Sequence, residues 1–421
     1  MGLDRRKTLT IFLALVVSAV FFGSSPATAK VSFGFGRLVP GGPGAKVVAL
    51  GSPFTVARTQ PDGTRDLEFG RGGVARARFP GFREGRAINA VQLADEAIVL
   101  AGGVVERCRA TRERRCARRP ALARFTSTGS LDPGFGHGGR VVGGFGAHLT
   151  SLASLPSGKV LAAGKTDTGR DEGNFPLLVR YTVDGRIDRS FGDRGRVVLD
   201  RIPGFGRVEF GRVDNFWVSA GRIVAAVHAR VPNRGRRGLI LLDRDGDVSA
   251  RFGGDGYFDQ PPAGARIDEY GVDLEPLSDG RLLVAGTTDD YPRQICLFRL
   301  NPDGSIDPSY GSGGIAYGPR TYDVRFNVEL VLRPDGRTLV AAAGHLTSAI
   351  AGFMPDGTID PSWGTEGLTV PIESWGFHAS LVPLADGTVA LGDSSRQLSH
   401  LIVARYDAEG DLVSGSYVPG P

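Results

Sequence analysis

Apolar and polar residues alternate in short runs along almost the whole chain, and glycine-rich or Asp-Gly turns interrupt them at regular places. A representative stretch has an alternating run over 149–155, the turn Pro156-Ser157-Gly158, and further runs over 159–163, 175–182 and 196–200. Apolar residues at helical spacing never persist over about 12 residues, whereas β-branched, alternating runs bounded by turns are strand signals. Four such strands per unit, repeated, predict the blade of a β-propeller.

Between the third and fourth run of each unit stands one phrase, written most fully at 303–314 as Asp303-Gly304-Ser305-Ile306-Asp307-Pro308-Ser309-Tyr310-Gly311-Ser312-Gly313-Gly314. It returns at 62–73, 128–139, 184–195, 245–256 and 356–367, with its aromatic at Phe69, Phe135, Phe191, Phe252, Tyr310 and Trp363. The intervals of 66, 56, 61, 58 and 53 residues mark a repeat architecture. The second strand of the unit is legible seven times, at 46–51, 97–102, 159–164, 222–227, 281–286, 337–344 and 388–392. The third agrees, at 54–59, 121–126, 175–182, 238–243, 295–300, 348–354 and 401–406. The expectation is one all-β domain over 30–421, a seven-bladed propeller of four-stranded antiparallel blades; six or eight blades fit the intervals less well. Two closures of the ring are open: the decayed phrase at 409–417 supplies the last outer strand, or 31–34 crosses over to help.

The segment 151–164 resembles the inner hairpin of WD-repeat blades, which places 149–155 innermost and 196–200 at the rim. The phrase itself, D-G-x-I-D-x-x-aromatic-G-x-x-G, resembles the delta-60 repeat of bacterial secreted and surface proteins. That resemblance implies a propeller with no assigned activity, and it carries over no functional residue. It departs in the seventh copy and in the fourth, where Ser249 stands for the second Asp. In the phrase, Asp-Gly suits a turn with positive φ, the second Asp accepts backbone N–H groups, and the aromatic wedges between blades. The acidic run Asp243, Asp245, Asp247 lacks the Gly and Glu that an EF-hand loop needs, since Val248 and Gly254 stand there. No metal or other cofactor is expected.

Residues 1–29 read as an export signal: Arg5, Arg6 and Lys7, an apolar run over 11–22, and Ala27-Thr28-Ala29 before Lys30. Thr8 stands where twin-arginine export would favour an apolar residue, so the general secretory route ranks first. A secreted or envelope protein is expected, monomeric and without a membrane span in the mature chain. Formal net charge is +5, reduced to +3 without the signal, too little to imply nucleic acid.

Charge is concentrated instead. A long insert in the second unit carries Arg107 and then Arg109, Arg112, Arg114 and Arg115, the last four bracketed by Cys108 and Cys116. In an exported chain that cysteine pair reads as a disulfide, with Cys296 left in a strand as a buried thiol. The loop is either a solvated turn or a contact for an anionic partner such as envelope polysaccharide, or for another secreted protein. A second recurrence lies where each outer strand crosses to the next inner one, with Phe82, Phe145, Phe205 and Phe377 after glycine. These pack between blades or line the channel mouth. Arg86, His148, Tyr270 and Arg325 follow at the starts of inner strands, and with the phenylalanines they form a candidate aromatic and basic rim for a glycan or other anionic ligand.

Catalytic motifs are scarce: the six histidines lack zinc-site spacing, and no G-x-S-x-G elbow occurs. The leading expectation is a non-enzymatic binding module. The alternative is a glycan hydrolase or lyase with its acids in the central channel.

Overall fold

In a computed structural model, the chain divides into two compact units, Met1–Lys30 and Val31–Pro421. The structure describes residues 38–419 except 41–46, 52–53, 61–63, 108–115, 117, 168–173, 204–205, 220, 232–233, 260, 262–264, 267–271, 289–292, 321–323, 345–347, 371–378, 385–386 and 395–399. The signal-like segment lies outside these residues.

The second unit is an all-β propeller fold; its one helical element among the described residues is the single turn Phe252–Gly254. Every expected second and third strand is present, and neighbours in a sheet pair antiparallel in sequence order. The sheets are less uniform than the repeat predicts. Five have four strands, but the fourth repeat pairs only Phe210–Ser219, Arg222–Val231 and Arg234–Asp243, with its outer edge reduced to a bridge between Leu239 and Phe258. In the fifth, Ala265–Arg266 and Asp273–Pro276 both pair with Leu282–Thr288, giving five strands. Arg201–Ile202 and Gly206–Arg207 form a separate hairpin.

The first strand of each sheet touches the first strand of the next, and Leu38–Pro40 of the first sheet touches Ala379–Pro383 of the last. Leu412–Pro419 pairs with His400–Tyr406 as the outer strand of that last sheet, so the decayed phrase does supply it. Residues 31–34, the other route to closure, lie outside the described residues.

The phrase explains how neighbouring sheets stay together. All six aromatics are buried, each within an apolar layer; Phe69, for example, packs with Leu100 and Ala123 of the following sheet. The glycine after each aromatic donates its N–H to the carbonyl at the start of the next phrase: Gly70 to Thr128 (2.7 Å), Gly136 to Asp184 (2.8 Å), Gly192 to Asp245 (2.8 Å), Gly253 to Asp303 (2.9 Å) and Gly311 to Asp356 (2.8 Å). Gly364 gives its bond to Glu409 (2.6 Å), so the seventh copy keeps the link although its text has drifted. The glycine of Asp-Gly has two duties there. Gly185, at φ 82°, makes the turn and lies where a Cβ would meet the Phe135 ring at 3.0 Å.

The second Asp accepts backbone N–H bonds as expected, for instance Asp307 Oδ1 from Ser309 at 3.0 Å. Its other oxygen holds an arginine eight residues earlier: Arg58 to Asp66 (2.7 Å), Arg180 to Asp188 (2.6 Å) and Arg299 to Asp307 (2.8 Å). These guanidiniums are buried and lie over the phrase aromatics, at 4.6 Å on Phe69, 4.8 Å on Phe191 and 4.7 Å on Tyr310. An ionised carboxylate is obligatory beside them. The Ser309 hydroxyl, then its N–H and the two arginines Arg281 and Arg299, hold the Asp307 carboxyl well below the usual range against an opposing effect of burial.

Candidate functional site

The inner strands Phe82–Gln92 and Ala147–Ser154 both bulge near their starts. The bulge is permitted by Gly102 and Gly164 of the adjoining strands, where a Cβ would collide with the Arg86 and His148 carbonyls. Arg86 and His148 therefore occupy matching places in neighbouring sheets, as the sequence register suggests. His148 pairs with Lys165, and the adjoining strand ends bring Arg118 and Asp167 beside it. Asp167 ties the corner together, its carboxylate accepting the Arg118 N–H (3.1 Å) and its own N–H donating to Gly146 (2.9 Å).

The described residues whose charge acts on His148 are the three cations Arg86, Arg118 and Lys165 and the acid Asp167. Burial first, and then Arg118, Lys165 and Arg86 against the opposing Asp167, lower the His148 pKa to about 4. His148 is thus neutral at pH 7, where it would serve as a hydrogen-bonding group without adding charge. Burial first, and then the nearby Arg118, also lower the Arg86 pKa.

The arginine-rich insert is rooted at this corner. Its arms are Ile98–Glu106 and Arg118–Phe125, with Val105 opposite Arg118. Arg107 is exposed, while Arg109, Arg112, Arg114 and Arg115 lie outside the described residues. So does Cys108; Cys116 is half-buried, and Cys296 is fully buried in Gln294–Leu300.

Of the other rim candidates, Tyr270, Phe205 and Phe377 lie outside the described residues. Phe82 and Phe145 are half-buried against the apolar layers between sheets. Arg325 is one residue out of register, because Phe326 pairs with Ala343 as His148 pairs with Lys165 when both are counted from the hairpin ends. The side chain of Arg325 is not described. Lys165, Arg118 and Asp167 were not singled out by the sequence; Lys165 was the accessible one, since it stands directly across the strand pair from His148.

A different polar set runs along the inner strands. Asn89, Ser151, Asn215, Asp273 and Glu329 share one register, each opposite an alanine of the second strand. Members of the set reach forward to the next sheet: Ser151 donates to Asn215 (2.6 Å), Asp273 accepts the Leu330 N–H (2.7 Å) and Glu329 accepts that of Leu381 (3.4 Å). Asp273 also accepts the Trp217 indole N–H at 3.1 Å. Strand periodicity puts Glu275 on the same face as Asp273. Burial and then the Asp273 charge raise its pKa to about 7. No group of three His, Cys, Asp or Glu among the described residues is placed to hold a metal ion. Asp243, whose carboxylate accepts the N–H groups of Asp245 and Asp247 (both 2.9 Å), caps its own turn.

Because the folded state favours protonated Glu275, it binds more protons than the unfolded chain between about pH 4.5 and 7, and stability falls as pH rises through that window. Glu275→Gln is expected to stabilise the protein by on the order of 2 kcal/mol at pH 8 and by almost nothing at pH 4. Urea unfolding of both proteins at the two pH values checks this.

Among the described residues no helix is long and apolar enough to cross a membrane, which says nothing of β-barrels. A family model described as "Domain of unknown function (DUF5122) beta-propeller" matches residues 117–135, 155–191 and 277–310. No curated protein matches the sequence. Among solved structures, the Pseudomonas aeruginosa periplasmic gluconolactonase PpgL is similar over 93% of this chain and 96% of its own, with a TM-score of 0.53 at 14% identity. Prolyl oligopeptidase B from Galerina marginata gives a TM-score of 0.52 at 10% identity. The match covers 93% of this chain but 51% of that enzyme, so this chain spans about half of its length. At these identities the likeness is one of fold.

Proposed function

We propose that this chain is an exported seven-bladed propeller that binds an anionic polymer, such as an acidic envelope glycan, without transforming it. The observation that carries this reading is the patch where Arg86, Arg118 and Lys165 crowd around a neutral His148 with Asp167 as the neighbouring acid. A cluster of cations on one corner of the fold favours an anionic ligand by its field. The insert bracketed by Cys108 and Cys116 would extend the patch with further arginines, its arms held together by a disulfide. The blade count rests on the seven successive contacts between first strands and on seven legible second strands. The mature chain would begin at Lys30, belong to the delta-60 group, and act as a monomer.

The test is a glycan and envelope-polymer array probed at low salt and at about 0.3 M salt, since exposed charge pairs are screened beyond a few ångströms at the higher value. The expected pattern is selective retention of acidic polymers that weakens with salt. Retention of neutral glycans alone would defeat the reading.

A second reading is a glycan hydrolase, favoured by Glu275, whose pKa burial and the neighbouring Asp273 raise to about 7. Against it, both Asp273 oxygens are committed to the neighbouring sheets. Release of reducing ends from any arrayed glycan, abolished in Glu275→Gln, would select this alternative.

A further inference from the structure

The third copy of the phrase differs from the others in a way its structural duties do not require. Arginine stands at 189, 194 and 196, where the first copy has Leu67, Gly72 and Val74 and the fifth has Pro308, Gly313 and Ile315. No other copy has arginine at more than one of the three places. The three arginines line a cavity of about 410 Å³ with Gly144, Phe145 and Ile187. The Arg196 guanidinium lies 4.9 Å from the centre of the Phe145 ring, which fixes its plane. Arg189 and Arg194 are exposed, Arg196 half-buried, and among the described residues none of the three side chains forms an ion pair.

Arg194 is also strained. Its φ of 52° lies in the left-handed region, at a place where three other copies use glycine, Gly72 (φ 60°), Gly138 (57°) and Gly313 (66°), and the sixth uses Glu366 (53°). The sixth copy tolerates a side chain at this place too, so it is the convergence of three arginines on one cavity, without ion pairs among the described residues, that points to a ligand.

We propose that this cavity binds an organic phosphomonoester. Three guanidinium forks match a dianionic tetrahedral group with three terminal oxygens better than they match a carboxylate with two. Phe145 and Ile187 offer an apolar wall to the organic part, and the volume falls within the usual range for small-ligand sites, about 300–1,000 Å³. The arginines of this cavity are not those of the Arg86 patch, although Phe145 adjoins Gly146, which holds Asp167 of that patch; the proposal does not rest on the function proposed for the patch.

Phenyl phosphate is the probe, titrated calorimetrically into the full chain in phosphate-free buffer at neutral pH, with phenyl sulfate and benzoate as comparisons. The informative variant is Arg194→Gly, which restores the residue that three other copies use at this positive φ and therefore keeps the turn. Expected results are saturable binding of phenyl phosphate, at least about tenfold weaker binding of the other two, and at least about tenfold loss in Arg194→Gly with its unfolding midpoint unchanged or raised. Absence of binding, equal binding of benzoate or phenyl sulfate, or full retention in Arg194→Gly would overturn the proposal. Binding that survives Arg194→Gly but is lost in Arg118→Ala would assign the ligand to the other patch and equally overturn this site.

Discussion

Asp188→Ala is expected to destabilise the propeller by about 3–5 kcal/mol, because it leaves Arg180 buried beside Phe191 without its counter-charge. Lys159, 2.8 Å from the same carboxylate, loses its partner too. The fourth copy shows what relieves this cost. There Ser249 replaces the aspartate, and the residue eight earlier is Leu241 rather than arginine. Both members of the pair are absent together. The double variant Arg180→Leu, Asp188→Ser should therefore lose much less than Asp188→Ala, about 1–2 kcal/mol, since replacing both partners of a buried ion pair by groups of compatible size is far milder than stranding one. Urea unfolding of the single and double variants measures the coupling. A double variant as unstable as the sum of its parts would show that Arg180 and Asp188 act independently.

Trp363→Ala is expected to cost a further-reaching 3–5 kcal/mol, about the loss known for removing a large aromatic from a packed core. Trp363 is fully buried, and its indole N–H donates to the Ile350 carbonyl at 3.3 Å. It fits only because glycines surround it: a Cβ on Gly352 would stand 2.6 Å from the Trp363 Cβ, and one on Gly410 would stand 3.0 Å from its ring. Gly410 belongs to the decayed seventh phrase, so the tryptophan is the seam between the sixth sheet and the last. Trp363→Phe, the residue of the first four copies, should cost about 1–2 kcal/mol, because Gly352 leaves the smaller ring underfilled. The unfolding midpoint and denaturant slope of both variants report this; a Trp363→Ala protein as stable as the parent would mean that the seam is held elsewhere.

Much of this fold is legible in the sequence, since the phrase, its aromatic and the strands around it obey local rules of turn chemistry and alternation. What escapes is what depends on two copies at once. The Gly70 to Thr128 bond and its successors join a glycine to a carbonyl in another repeat, and nothing local marks the acceptor. The Arg180 and Asp188 pair is visible only when the fourth copy is compared with the rest. The uneven fourth and fifth sheets depart from the repeat where 201–207 forms its own hairpin and 265–266 adds a second segment along the inner edge of Leu282–Thr288. For the candidate patch, Arg86 and His148 were reachable by counting along strands, whereas Arg118 and Asp167 come from loop ends that meet only after the sheets pack. Arg325 was displaced by one residue because the sixth hairpin ends on Arg333, whose N–H bonds the Arg337 carbonyl as Leu155 bonds Lys159. The sequence assigns the phrase structural duties; the arginine-lined cavity lies on the third copy and the residue that follows it, where three positions carry arginine together.

The division between a repeated scaffold and a copy-specific anionic site meets its most direct test in equilibrium binding of polygalacturonate, a linear polymer of carboxylates, to the full chain and to the triple variant Arg86→Ala, Arg118→Ala, Lys165→Ala. The account predicts saturable binding at low salt, a loss of at least about tenfold in the triple variant, and a shallower dependence on salt because fewer charges are paired. Equal affinity and equal salt dependence in the two proteins would contradict it.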